Sequence, residues 1–204
     1  MHLNMRVPKA TVQAGLCISC TGRNEKQGAR ERKMIYICKY ESPIGSLTAA
    51  SNGVALTGLW FDGQKYFGST LTEEYEERDL PVFAKTRDWL DLYFYGENPD
   101  FMPPLSVSGS DFRKSVWNIL RQIPYGQTMT YGEIAKKMAR QMGTAQMSAQ
   151  AVGAAVGRNP ISILIPCHRV VGSNGSLTGY AAGIDKKSAL LALEKVDLEQ
   201  FDRE

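Results

Sequence analysis

The feature that most constrains how this chain can fold is residues 97 to 109, ENPDFMPPLSVSG. Proline fixes φ and lacks an N–H, so neither a helix interior nor a central strand can run through Pro99, Pro103 and Pro104. The stretch reads as a linker between two halves whose hydrophobic patterning differs. Before it, MIYICKYESPIGSLTAASNGVALTGLWF (34 to 61) is rich in β-branched and aromatic residues. It is broken at Ser42-Pro43-Ile44-Gly45 and at Ser51-Asn52-Gly53, both turn signals, so three short antiparallel strands are expected. VFAKTRDWLDLYFYG then places Val82, Phe83, Trp89, Leu90, Tyr93 and Phe94 on an approximate helical stripe that stops at Gly96.

After the linker the pattern becomes helical. SDFRKSVWNILRQIPYG offers an N-cap at Ser110 or Asp111 and a stop at Pro124 and Gly126. TMTYGEIAKKMARQMG gives a second helix with Ile134, Ala135 and Met138 inward, and SAQAVGAAVGRNP a third, capped by Ser148 and ending at Asn159-Pro160. Gly153 and Gly157 weaken that third helix, but small residues allow another surface to approach closely. Two short helices followed by a strand and a Gly-rich loop read as a winged helix-turn-helix, whose second helix enters a DNA groove. The expected class is therefore α+β with two domains. Residues 34–104 form a three-stranded antiparallel sheet with a helix, and residues 105–204 a mostly helical winged-helix domain. Residues 1–33 show no sustained period and read as a mobile extension, with Met34 opening the folded chain.

Charge sharpens the division. Of 24 Lys/Arg and 21 Asp/Glu, ten basic and only three acidic residues fall between 105 and 192, whereas residues 34–104 are acidic. A polyanionic partner should therefore bind the second half, and nucleic acid is the first candidate. No apolar run approaches membrane-spanning length and no signal-peptide pattern opens the chain, so a cytoplasmic location is expected. The four cysteines, Cys17, Cys20, Cys38 and Cys167, then read as free thiols. Cys17 and Cys20 have zinc-ligand spacing, but no second pair follows and no metal site is expected. Cys38 lies in a strand pattern and reads as core.

Cys167 differs from the other three. It ends a run, ILIPCHRVV, that otherwise reads as a buried strand, with Pro166 before it and His168 and Arg169 after it. A thiolate is the reactive form, and a neighbouring imidazole or cation favours it. Adjacent residues diverge along an extended backbone, so His168 would act through a water or a turn. On the residues alone three roles stay open for Cys167: nucleophile, core filler and redox-sensing thiol.

The segment from Asp111 to Glu194, with IPYGQTMTYGEIA, AVGAAVGRNPISILIPCHRVVGSNGSLTGYAAGIDKKSALLALE and above all PCHRV, closely resembles the O6-alkylguanine-DNA alkyltransferases, the methylated-DNA–protein-cysteine methyltransferases. Residues 34–104 look like that family's N-terminal, ribonuclease H-like α/β domain. The resemblance implies single-turnover DNA repair. An O6-alkylguanine, or by extension an O4-alkylthymine, is flipped out of double-stranded DNA, and its alkyl group passes irreversibly to Cys167 with no cofactor. By the same resemblance His168 activates the thiol through a water and Glu194 orients the imidazole. Tyr131 protonates guanine N3 and helps rotate the nucleotide, and Asn159 is the hinge between recognition helix and active site. Val170 offers its carbonyl to the exocyclic amine, while Tyr180 and the backbone near Ala181 line the pocket. Ser148, Gln150, Ala151, Gly153, Arg158 and Arg169 face the DNA, and a monomer suffices. At the position where most of the family has an arginine that fills the gap left by the flipped base, this chain has Gln150, which implies weaker DNA affinity with the chemistry intact. A lesion binder that transfers nothing and a cysteine hydrolase using Cys167 and His168 are the rival readings. The first usually lacks the cysteine, and the second needs an oxyanion hole that nothing in the sequence marks.

Overall fold

The structure, a computed structural model, describes residues 34–173, 175–177, 179–199 and 201. The expectations for the extension and for Cys17 and Cys20 lie outside the described residues. β1 (Ile35–Ser42), β2 (Gly45–Ser51) and β3 (Leu56–Phe61) form the expected antiparallel meander. The first turn closes on Gly45 at φ +124°, a conformation that L side chains rarely adopt. At the second, the Asn52 side chain accepts from the N–H groups of Val54 and Ala55. A fourth strand, β4 (Tyr75–Glu77), adds to the expected three and pairs parallel to β1 at the outer edge, giving the order β3-β2-β1-β4. Its three residues are polar or exposed, so no apolar alternation announces it.

α1 (Pro81–Phe94) begins with proline at its first turn, where the missing N–H costs nothing, and covers one face of the sheet. Val82, Phe83, Trp89, Leu90 and Tyr93 meet Leu47, Ala49, Leu59 and Phe61 there. Across the sheet, Ile35, Ala50 and Trp60 form a smaller cluster, so β2 and β3 are buried on both faces.

The proline-rich segment is no free linker. The Leu56 N–H donates to the Pro104 carbonyl at 2.8 Å and the Ser106 N–H to the Leu56 carbonyl at 2.8 Å, which straps the segment along the outer edge of β3. Proline could join because only its carbonyl is used. The main apolar core runs through both halves, from Leu47 on β2 to Leu190 near the C-terminus.

In the second half, α2 (Asp111–Leu120) is capped by the Ser110 side chain, α3 (Tyr131–Met142) by Thr130, and α4 (Ala149–Val156) by Ser148. Thr130 and Glu133 exchange side-chain-to-backbone bonds in a capping box, and Gly143 ends α3 in the left-handed region. β5 (Met129–Thr130) and β6 (Val170–Val171) pair in parallel, and α5 (Ile184–Leu193) closes the domain. The strand expected before Cys167 is reduced to one bridge, Ile161 beside Leu59, after which the chain turns and Ile163 sits at φ +68°. A β-branched residue in that region is strained, and full burial of Ile161, Ile163, Leu164 and Ile165 holds it there.

Thr130 fixes the start of α3 and with it the position of Tyr131. Thr130→Ala should lower stability by about 1 kcal/mol, read as a reduced urea midpoint at unchanged slope.

Candidate active site

Cys167 opens a single 3-10 turn, Cys167–Arg169, immediately after Pro166. Pro166 lies at φ −80° and ψ 67°, an inverse γ-turn closed by the Cys167 N–H donating to the Ile165 carbonyl at 2.8 Å. The turn swings the thiol back against the end of α4, where Asn159 Nδ2 stands 3.1 Å from Sγ. The same amide nitrogen lies 2.7 Å from the Ile165 carbonyl, and Asn159 Oδ1 accepts from the Ile161 N–H at 3.0 Å. Asn159 thus ties the helix end, the turn and the sulfur together. Burial pushes the Cys167 thiol up from the ordinary cysteine range, opposed by the Asn159 hydrogen bond and by the charge of Lys187.

His168 is fully buried. Its Nε2 stands 2.7 Å from Glu194 Oε1. A carboxylate can only accept, so the imidazole proton is on Nε2 and the lone pair on Nδ1. Nδ1 is buried and has no hydrogen-bond partner among the described residues, which is the arrangement a base needs. Burial holds the His168 pKa below its ordinary value, with the Glu194 hydrogen bond and charge opposing.

Glu194, the C-cap of α5, accepts from five donor atoms. Oε1 takes His168 Nε2, Tyr93 Oη at 2.7 Å and Arg169 Nη2 at 2.9 Å; Oε2 takes Arg169 Nε at 2.8 Å and the Gly126 N–H at 3.0 Å. Burial alone would raise this carboxyl, but the bonds and charges of His168 and Arg169 outweigh it and hold it at about 2. The expectation that Arg169 faces DNA is corrected here. Arg169 is 8% exposed, and its remaining bond, Nη1 to the Ile123 carbonyl at 2.6 Å, leaves its fork committed to the interior.

Two residues of the site were missed in the sequence. Lys187 on α5 is buried, donates from Nζ to the Val170 carbonyl at 2.6 Å, and has its pKa lowered by burial to about 8 despite the Cys167 charge. Tyr93 arrives from α1, on the other side of the linker. Cys38, expected in the core, is only half-buried on β1, with Arg87 Nη1 3.3 Å from its sulfur. Among the described residues, no cluster of three or more His, Cys, Asp or Glu could hold a metal ion, and no helix is long and apolar enough to cross a membrane.

Around this centre lies an open rim. Tyr131 is the first residue of α3, and burial followed by the Cys167 charge pushes its phenol up to about 12. A Cβ at Gly179, whose φ is +80°, would fall 2.8 Å from Tyr131 Oη, so the loop passes the tyrosine only as glycine. A cavity of about 740 Å³ opens beside Tyr180 and Ala181, with Gly153, Ala151 and Arg158 contributed by α4 and the residues after it. Ser148, Gln150, Ala151 and Arg158 are exposed, Gly153 is half-buried, and Tyr180 is buried. Lys65 and Tyr66 from the first half also line the cavity. The Lys65 N–H donates to the Ala181 carbonyl at 3.0 Å, and the Arg158 guanidinium lies 3.8 Å over the Tyr66 ring.

Family models match nearly all of the described chain: the 6-O-methylguanine DNA methyltransferase ribonuclease-like domain over residues 35–107 and the DNA-binding domain of the same enzyme over 111–196. The chain belongs to the O6-methylguanine DNA methyltransferase family. The methylated-DNA–protein-cysteine methyltransferase of Mycobacterium tuberculosis strain H37Rv is 44% identical over 173 residues, covering 83% of this chain and all of that protein. That of Methanosarcina acetivorans is 43% identical over 161 residues, covering 78% and 98%. The crystal structure of the M. tuberculosis OGT in complex with DNA superposes with a TM-score of 0.68 at 40% identity, covering 81% of this chain and 94% of that one. The α+β architecture in two domains is that of the family, although here both domains share one apolar core.

Glu194 is depressed in the folded state from 4.5 to about 2, so it stabilises the fold above pH 4.5 and loses that contribution as pH falls through 2. The stability deficit of Glu194→Gln relative to wild type should be largest above pH 5 and shrink as pH falls through this window. Urea unfolding at a series of pH values measures it.

Proposed function

We propose that the protein repairs double-stranded DNA by transferring the alkyl group of an O6-alkylguanine, with O4-alkylthymine as a further substrate, to Cys167. The observation that carries this reading is the polarity of the His168 imidazole: Nε2–H donates to Glu194 and leaves Nδ1 as the buried acceptor beside the Cys167 turn. The resting thiol keeps its proton because burial raises its pKa. When the alkylated base enters, His168 Nδ1 takes that proton through a water, and the thiolate attacks the alkyl carbon. A C–S bond forms, the carbon–O6 bond breaks, and Tyr131 supplies a proton to N3 of the leaving guanine. Asn159 steadies the developing sulfur charge, and Lys187 adds a cation to the same pocket. Val170 can still accept from the exocyclic amine, since a carbonyl has two lone pairs and Lys187 uses one. The product is a thioether and each molecule acts once, so a monomer without a cofactor suffices.

The exposed face of α4, with Ser148, Gln150, Ala151 and Gly153, would lie in the minor groove, and Tyr180 and Ala181 would line the base pocket. Among the described residues, Lys65, Arg113 and Arg158 but no carboxylate line the rim, which suits flanking phosphates. The cytoplasm, where replicating DNA is reached without crossing a membrane, is the proposed location.

Intact-mass spectrometry after incubation with a duplex carrying one O6-methylguanine should show one added methyl per molecule, absent in Cys167→Ser. No added mass with the duplex still bound would mean recognition without transfer. Gln150→Arg should tighten duplex binding and steepen its salt dependence by about one unit of slope. A titration at several salt concentrations, with the single-turnover rate at saturating protein unchanged, checks both.

A further inference from the structure

Glu194 draws one of its five donors from outside the catalytic domain. Tyr93 sits near the end of α1, buried at 0% exposure, and its hydroxyl donates at 2.7 Å to Glu194 Oε1, the same oxygen that holds the His168 Nε2–H at 2.7 Å. The Tyr93 hydroxyl also stands 3.4 Å from His168 Nε2, longer than an ordinary N–H···O bond, so the Nε2 proton is directed to Glu194 and Tyr93 acts on the imidazole chiefly through the carboxylate. The ring is fixed independently of the hydroxyl. It stacks on Trp89 at 5.3 Å between centroids and meets Phe94 and Tyr125 edge-on at 5.5 Å and 6.1 Å. Neighbouring Tyr125 shows how a tyrosine with an architectural hydroxyl is placed: its Oη stands 3.1 Å from the Leu193 carbonyl and 3.3 Å from the Gly96 carbonyl, so its single proton is spent on backbone. Tyr93 is aimed at the carboxylate that orients the base.

We propose that Tyr93 is a positioning residue for the transfer reaction: by donating to Glu194 Oε1 it limits how tightly that carboxylate holds the His168 imidazole. It thereby sets how readily Nδ1 takes the Cys167 proton. The inference rests on the reading of Cys167 as the alkyl acceptor. Donors to one oxygen compete for its electron density, so each additional donor makes the carboxylate a weaker acceptor for the next. With Tyr93 present, Glu194 stabilises an imidazolium less. Without it, Glu194 would favour the protonated imidazole more and His168 would titrate at higher pH. The other ionisable groups facing the pair are Arg169 and Cys167 on the same turn, Lys187 on α5, Tyr125 after α2 and Tyr180 between β6 and α5. All of them stay in place in Tyr93→Phe.

Only His2 and His168 are present, so the titration of His168 can be followed by nitrogen-15 NMR of the full chain. In Tyr93→Phe its midpoint should rise by about half a pH unit, a fraction of the worth of the lost hydrogen bond because its effect reaches the imidazole only through the shared oxygen. Because the base must be neutral, the acid limb of the single-turnover methyl-transfer rate should move up with it, with duplex affinity unchanged. In a Glu194→Gln background, Tyr93→Phe should add no further shift. An unmoved midpoint and acid limb, or a shift that persists in the Glu194→Gln background, would overturn the proposal. A wild type whose histidine titrates as described but which gains no methyl would instead overturn the assignment of Cys167.

Discussion

The Glu194 carboxylate is the interaction on which the arrangement depends. Five donors converge on it from the sheet-covering helix α1, the loop after α2 and the turn that carries the nucleophile. A buried carboxylate with no partners would take up a proton; this one is held ionised at about 2 because each lone pair is used. Its ionisation fixes the tautomer of His168, and through Arg169 it anchors the Ile123 carbonyl at the end of α2. Removing the Arg169 guanidinium, which pairs with both carboxylate oxygens, would strand a buried charge. The two family domains are more interdependent than a linker would make them. They share one core, a strapped proline-rich segment and the buried Glu194 carboxylate.

The same burial decides how the sulfur works. Cys167 lies in an apolar pocket that disfavours its thiolate, and the groups that favour it, Asn159 and Lys187, are themselves spent on holding the chain. A thiol protected in this way does not react with whatever reaches it. In the proposed reaction it becomes a nucleophile when a substrate fills the pocket and the proton can leave toward His168, which suits a protein that reacts once.

Features set by adjacent residues were legible in the sequence. The caps at Ser110 and Ser148 and the turn at Gly45 are local chemistry, and helices and strands follow from such signals. Features set by distant partners were not. Arg169 reads as a surface cation because its carboxylate lies 25 residues away, and Tyr93 reads as one more core aromatic because its acceptor lies 101 residues away. The run before Cys167 has strand composition, yet it turns after a single bridge to Leu59 because Ile163 takes a left-handed backbone conformation that composition does not reveal. Lys187 stands among charged residues at the start of α5, and nothing local indicates that it folds inward to the Val170 carbonyl. The pairing of His168 with Glu194 was legible only through the family resemblance.

In the proposed reaction the resting nucleophile is a protonated thiol whose activation waits for substrate. The most direct measurement is the titration of Cys167 by thiolate ultraviolet absorbance, taken as the difference between wild type and Cys167→Ser to remove the other cysteines. The account predicts a midpoint above that of an ordinary cysteine, about 8.5. A midpoint near neutrality or below would mean a standing thiolate, with no proton for His168 to take, and would contradict the account.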